Sequence, residues 1–194
     1  MDEQANVPVF KASAIYGVIV GLASIVLSLI LYFIGQSLEP WAGYLSTIVL
    51  VLLIIGSLIM FKREYGKGYA KYGQLVLVSF IVGLVAALLT SAFTFVLYTT
   101  DEGYLQDTKY VTLEKVDKQF EKQDLKFQER FSDEQYEAVE SRLAEQRKKA
   151  IDRVKNQTPM KLAFSGIIAM VFMSVIIGLI AAIFIKRKPE TAQP

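Results

Sequence analysis

The stretch MKLAFSGIIAMVFMSVIIGLIAAIFI, residues Met160–Ile185, decides the fold, because its one charged residue, Lys161, lies at its very start. An α-helix rises about 1.5 Å per residue, so a run of this length crosses a hydrocarbon core about 30 Å thick. Three further runs of similar length contain no charged residue: Ala12–Gly35, Ala42–Phe61 and Leu75–Thr99. The sequence therefore predicts an all-α integral membrane protein with four transmembrane helices.

These spans divide the chain into three predicted parts. The parts are residues 1–99, an N-terminal tail with transmembrane helices at about 12–35, 42–61 and 75–99; residues 100–159, a charged extramembrane helical hairpin; and residues 160–194, a transmembrane helix at about 160–185 with a basic tail. The first apolar run is too long for a cleaved signal peptide, and Asp2 and Glu3 precede it in place of basic residues. We therefore interpret it as a true span.

The composition argues against most catalytic chemistry. The chain has no cysteine and no histidine, which removes thiol chemistry and the commonest general base and metal ligand. The interiors of the spans carry hydroxyl groups as their polar side chains, with no ionisable pair. Gly66, Gly68 and Gly73 lack the Lys–Ser/Thr pair of a phosphate loop and are interpreted as a turn. We predict no catalytic residue, no metal, no cofactor, no nucleic-acid partner and no enzymatic activity.

The polar segment contains apolar residues at helical spacing, which predicts two helices, about Asp107–Arg130 and Asp133–Lys155. The sequence Ser132–Gln135 is a capping box that marks the start of the second helix. Opposite charges predict an antiparallel pair, with Lys118, Lys122, Lys126 and Arg130 near Asp133, Glu134, Glu137 and Glu140, and with Arg147, Lys148, Lys149 and Arg153 near Asp107, Glu114, Asp117 and Glu121. The alternative is two solvated helices that meet only on a partner.

Three sets of residues are candidates for contacts. The candidate partner surface consists of Lys118, Lys122, Lys126, Phe127, Phe131 and Tyr136. Small residues four positions apart indicate close helix packing at Gly17, Gly21, Gly83, Ala87, Ser91, Ser174, Gly178 and Ala182. Amphipathic rings suited to the headgroup layer are Trp41, Tyr44, Tyr65 and Tyr69.

Basic residues near the spans predict the orientation. Lys62, Arg63, Lys67 and Lys71 crowd one short loop, and Lys186–Lys188 follow the fourth span. By the positive-inside rule this loop and both termini are cytoplasmic, and the hairpin lies on the other side. The long polar segment is also rich in lysine and arginine, which argues in the opposite direction. We give more weight to the short loops, because the rule applies to them most strongly.

The order of several features resembles a known family. These features are Lys71–Gln74 before a Gly/Ala-rich third span, the aromatic stretch Phe93–Tyr98, Phe131–Gln135 before a charged helix, and Lys186–Lys188 after the last span. In this order they resemble the bacterial membrane family catalogued as domain of unknown function 4199. The resemblance implies a bacterial four-span membrane protein, and it implies no activity. We predict that the protein lies in the bacterial cytoplasmic membrane.

Two functions follow as hypotheses from different classes. The first is a non-enzymatic accessory or scaffold subunit, embedded in the lipid bilayer, whose hairpin at residues 100–159 binds an envelope protein or a second copy of the chain. The second is a small transporter or channel subunit, in which oligomerised spans surround a path lined by serine and threonine.

Overall fold

The computed structural model describes residues 9–65, 70–131 and 133–186, with the backbone alone described at 133–135, 137 and 138. Over these ranges the chain forms six α-helices and no strand, which confirms the all-α prediction. The helices are α1 (Val9–Phe33), α2 (Pro40–Glu64), α3 (Tyr72–Thr100), α4 (Glu102–Gln128), α5 (Asp133–Lys155) and α6 (Pro159–Ile185). By length and composition α1, α2, α3 and α6 are each able to cross a membrane.

The largest difference from the predicted boundaries is at the start of α4. The helix begins at Glu102 rather than at Asp107, because the Asp101 carboxylate caps it by accepting a hydrogen bond from the Tyr104 backbone N–H at 2.8 Å. The start of α5 agrees with the prediction, but Ser132 of the expected capping box lies outside the described residues.

The turn between α1 and α2 is fixed by backbone geometry. Gly35 has φ 70°, and its N–H donates to the Tyr32 carbonyl, while the Gln36 N–H donates to the Leu31 carbonyl. This pair of bonds is a Schellman motif, which satisfies the last carbonyls of α1 and favours glycine at the left-handed position. Pro40 then starts α2 at a position where the missing N–H carries no penalty.

The chain divides into two compact units. Unit 1 comprises Met1–Phe95 and Ala163–Pro194, and unit 2 comprises Val96–Leu162. Unit 1 contains the apolar helices, of which α3 is the most buried: half of its apolar window is inside, against 22% for α2. Much of the outer surface of the apolar helices is itself apolar, and Phe172 and Phe184 of α6 are 65% and 82% exposed.

Unit 2 consists mainly of α4 and α5, which pack against each other. Its buried apolar side chains, among those described, are Leu105, Leu143 and Val154. The contacts join early residues of one helix to late residues of the other. Lys109 of α4 donates from Nζ to the carbonyl of Lys155 in α5, at 3.4 Å.

Candidate partner surface and helix-packing sites

A row of cations follows one face of α4. Lys115, Lys118, Lys122 and Lys126 recur every three or four residues and form what we call the lysine stripe. Gln119 and Gln123 lie between the lysines, and together the six residues line a shallow groove. The groove is therefore lined by cations and amides, without a carboxylate among its lining residues.

One member of the lysine stripe is paired within its own helix. The Lys118 ammonium lies 2.5 Å from a carboxylate oxygen of Glu114, one turn earlier. This hydrogen bond and the negative charge of Glu114 raise the pKa of Lys118. No ion pair joins the other three lysines of the stripe to a described carboxylate.

The position of the lysine stripe on α4 explains why its side chains do not pair with the described side chains of α5. Val116, Phe120 and Phe127 are the half-buried apolar side of α4. At about 100° per residue, this side is roughly 120° around the helix from the stripe. The lysines were expected beside the acidic residues of α5, whose side chains at positions 133, 134 and 137 lie outside the described residues. Among described groups, Lys118 instead pairs with Glu114 of its own helix.

Polar side-chain contacts join α4 to α5 at two positions along the helix pair. Arg147 donates from Nε and Nη2 to one oxygen of Asp117, at 3.0 and 2.9 Å. Tyr136 donates its hydroxyl to Asp124 at 2.6 Å and accepts from the Gln128 amide at 3.0 Å. The bond to the Asp124 carboxylate raises the pKa of Tyr136, because the phenol proton is held in place. These groups are solvent-accessible, so they align the helices more than they stabilise them.

The structure separates the aromatic members of the predicted partner surface from its lysines. The rings of Phe127 and Phe131 contact each other with centroids 5.7 Å apart, and Phe131 remains exposed. Tyr136 is engaged with Asp124 and Gln128. The exposed members of that set are thus the three lysines, Lys118, Lys122 and Lys126, and Phe131.

In unit 1, α3 and α6 interlock through two Ser-x-x-x-Gly sequences that run in opposite directions. A Cβ added to Gly178 would lie 2.5 Å from the Cβ of Ser79, and one added to Gly83 would fall within the side chain of Ser174. Ser79 also donates its hydroxyl to the Ser174 carbonyl, at 2.5 Å. Each serine therefore fills the space that a glycine leaves on the other helix.

Ser79 was not among the predicted packing residues, although it lies four positions before Gly83. The same alignment of α3 with α6 continues along the two helices toward the end of α3. Ser91 lies opposite Gly166, where an added Cβ would be 3.6 Å from the serine hydroxyl oxygen, and Ala87 and Ala182 are fully buried. The sequence signal that could have identified Ser79 is the alternation of serine and glycine at four-residue spacing.

The other predicted glycine pair brings α1 against α3. A Cβ on Gly17 would lie 2.6 Å from the Cβ of Val85, and one on Gly21 would lie 2.9 Å from Leu89. Both glycines are buried. The structure therefore places the small residues of α1 and α6 on the central helix, α3, within one chain.

One end of unit 1 collects cations and polar contacts that cross between helices. Lys62 of α2 donates to the last helical carbonyl of α6, that of Ile185, at 2.6 Å. Tyr16 of α1 donates to a carboxylate oxygen of Glu64 at 2.6 Å. Lys186 lies 5.7 Å from the centre of the Tyr72 ring. A lysine at a helix C-terminus is favourable because it neutralises the negative end of the helix dipole.

The predicted interface rings are placed as follows. Trp41 and Tyr44 are exposed at the start of α2, and the Trp41 indole donates to Gln36 at 3.4 Å. Tyr65 follows α2 and stacks on Phe61, with ring centres 5.7 Å apart. Tyr69, and the loop glycines Gly66 and Gly68, lie outside the described residues, as do residues 187–194.

Across the described part of the chain, no group of three or more acidic, histidine or cysteine side chains is placed to hold a metal ion. The family model described as "Protein of unknown function (DUF4199)" matches residues 15–187. No curated protein and no solved structure matches the chain. The matched range includes α2 to α6 in full and most of α1.

Proposed function

The chain belongs to the DUF4199 family of proteins of unknown function, and we propose that it is a non-enzymatic scaffold subunit of a bacterial cytoplasmic membrane. In this proposal α1, α2, α3 and α6 form a transmembrane bundle. The helices α4 and α5 form an antiparallel hairpin outside the bilayer, and the hairpin binds an acidic partner through the lysine stripe. The single observation that carries the proposal is that stripe: a row of cations that the paired helix leaves facing solvent.

Membrane insertion is supported by the outer surface of unit 1. Large apolar side chains such as Phe164, Phe172 and Phe184 are more than half exposed on α6. In water such a surface would drive association, whereas lipid solvates it. The backbone groups of a continuous helix are satisfied internally, as a bilayer requires.

The proposed orientation follows from the two ends of unit 1. Lys11, Lys62, Arg63, Lys71 and Lys186 are all at the end where α1 begins and α6 finishes. The turn at the opposite end contains Glu39 and no lysine or arginine. We therefore assign the cationic end to the cytoplasm and the hairpin to the other side.

This orientation is tested with single cysteines, because the natural chain has none. Gln119→Cys places a thiol in the exposed groove of α4, and Gly73→Cys places one at the cationic end, where an added Cβ meets no atom within 4 Å. A membrane-impermeant maleimide is expected to label Gln119→Cys in intact cells, and Gly73→Cys only after permeabilisation. The reversed pattern would overturn the orientation and place the hairpin in the cytoplasm.

Partner binding is tested by photo-crosslinking in living cells. A crosslinking residue at Gln123, in the groove of the lysine stripe, is expected to capture an acidic protein, and one at the exposed Glu121 serves as the matched control. Changing all four lysines of the stripe to glutamine is expected to reduce capture at least tenfold, since each cation near an anionic surface contributes about 1 kcal/mol. Equal capture from both positions, or capture that survives loss of the lysines, contradicts the proposal. Capture of a second copy of the chain would assign the surface to self-association.

The transporter or channel alternative is less well supported, because many hydroxyl groups in the spans already donate a hydrogen bond to a backbone carbonyl. Ser24, Ser57, Thr90 and Thr94 each donate to a carbonyl one turn earlier on the same helix. Ser79 donates to α6 instead. A hydroxyl used in this way has no proton left to donate to a solute and offers only its lone pairs. Solute flux in liposomes above protein-free controls would favour the alternative.

A further inference from the structure

A second cationic cleft lies where α5 ends and α6 begins, within unit 2. It has a volume of about 500 Å³ and is lined by Lys149, Asp152, Arg153, Asn156, Gln157 and Lys161. Three of these side chains are cationic and one is anionic. Lys149 is held 2.6 Å from Glu145, outside the cleft lining, and Lys161 donates weakly from Nζ to the Asn156 carbonyl at 3.4 Å. The cleft thus retains a positive balance and suits an anionic group.

One side chain of the cleft lining, that of Gln157, also carries an acceptor that the protein does not satisfy. The side-chain oxygen of Gln157 is buried and has no hydrogen-bond partner among the described residues. Leaving a buried polar atom unpaired is costly, so such an atom indicates a missing donor. Cations around an unpaired acceptor point to a ligand that combines a negative charge with an O–H or N–H donor.

The place of the cleft in the chain indicates its level relative to a bilayer. Lys161 is in the first turn of α6, which begins at Pro159 and continues as an apolar helix to Ile185. Met160, beside it, is 70% exposed. If α6 enters the bilayer there, as the proposed function states, the cleft lies at the level of the lipid headgroups.

We propose that this cleft binds the headgroup of an anionic phospholipid that carries a free hydroxyl, as phosphatidylglycerol does. The lipid phosphate contacts Arg153 and Lys161. The headgroup hydroxyl donates to the Gln157 oxygen once the amide has turned from its buried position toward the cleft that its side chain lines. The positive end of the α6 dipole lies nearest its first turn and favours the phosphate further. The site would make the junction of α5 and α6 sensitive to lipid composition.

The test uses full-length protein in mild detergent and counts bound lipids by native mass spectrometry. Phosphatidylglycerol is compared with phosphatidylmethanol, which has the same charge and no headgroup hydroxyl. The wild type is expected to bind phosphatidylglycerol roughly five- to tenfold more tightly, the value of one hydrogen bond. Gln157→Leu is expected to abolish this preference while leaving the affinity for phosphatidylmethanol unchanged. A preference that survives Gln157→Leu, or that is absent in the wild type, overturns the proposal.

A charge-matched pair of variants tests the phosphate contacts. The double change Arg153→Gln and Lys161→Gln is expected to weaken both lipids roughly tenfold or more, since each cation contributes about a factor of five. The double change Arg142→Gln and Lys148→Gln removes the same charge from exposed positions of α5 outside the cleft lining, and it is expected to leave lipid binding unchanged. Equal effects of the two double variants would overturn the site.

A competition measurement distinguishes binding of a lipid from binding of a soluble ligand. Glycerol 1-phosphate, at the concentration of lipid used, is expected not to compete, because the free headgroup lacks the acyl chains that hold a lipid against the apolar start of α6. Strong competition would overturn the lipid assignment. The cysteine labelling of Gln119 and Gly73 reports separately on the proposed membrane orientation. Loss of lipid binding with correct labelling therefore rejects the lipid site alone.

Discussion

Gly83→Val is expected to lower the free energy of unfolding of the transmembrane bundle by about 3 kcal/mol or more, the upper range for overpacking a close-packed interior. A Cβ at this position falls within the side chain of Ser174, and the Ser174 Cβ is among the atoms that it meets. Rotating the serine hydroxyl cannot relieve that overlap, so α3 and α6 must separate. Separation also stretches the bond from Ser79 to the Ser174 carbonyl. Thermal unfolding in mild detergent measures the effect.

A control and a compensating change make this prediction specific. Gly56→Val adds the same atoms to α2 at a position where a Cβ meets nothing within 4 Å, and it is expected to change stability little. Gly83→Ala is expected to cost roughly 1–3 kcal/mol alone. The double change Gly83→Ala and Ser174→Gly removes the overlapping atoms, so the two changes should couple favourably by about 1 kcal/mol or more. Additive effects, or an equally damaging Gly56→Val, would contradict the interlocked packing.

The apolar helices were predictable because length and hydropathy accumulate over a whole run. A single residue changes little in such a sum, and the predicted spans differ from the observed helices by a few residues at their ends. Local chemistry was harder to anticipate. The helix α4 begins five residues before its predicted start. The reason is that the Asp101 carboxylate accepts a hydrogen bond from the Tyr104 backbone N–H, which has no partner within the helix. The sequence alone does not distinguish an aspartate that caps a helix from the other aspartates of a polar segment.

Packing partners could not be derived from one sequence. The glycines Gly83 and Gly178 were visible as small residues, but the pairing of Ser79 with Gly178 depends on the register of α3 against α6. Similarly, the lysines of α4 were predicted as one ridge beside the acidic residues at the start of α5, whose side chains at positions 133, 134 and 137 lie outside the described residues. Lys118 pairs with Glu114 because the apolar side that meets α5 lies elsewhere on the helix. The unpaired Gln157 oxygen had no signature in the sequence at all.

Leu143→Ala is expected to destabilise the α4–α5 pair by about 2–3 kcal/mol, the lower range for truncating a buried leucine. Leu143 is one of three buried apolar side chains described in unit 2, together with Leu105 and Val154. A core of this size supplies only about 3–5 kcal/mol, so the loss removes most of the stability of the pair. Amide hydrogen exchange of the full-length protein should accelerate in α5 by roughly 30-fold, the rate equivalent of 2 kcal/mol.

The same chain provides the control, because Leu125 of α4 is 59% exposed. Leu125→Ala removes the same atoms from a solvated position and is expected to change exchange less than about threefold. Exchange in α3 should be unaffected by either variant if unit 2 opens independently of unit 1. Equal protection in Leu143→Ala and wild type would show that the pair is held by its surface contacts, chiefly Arg147 with Asp117. That outcome is not expected, since exposed ion pairs each contribute less than about 1 kcal/mol.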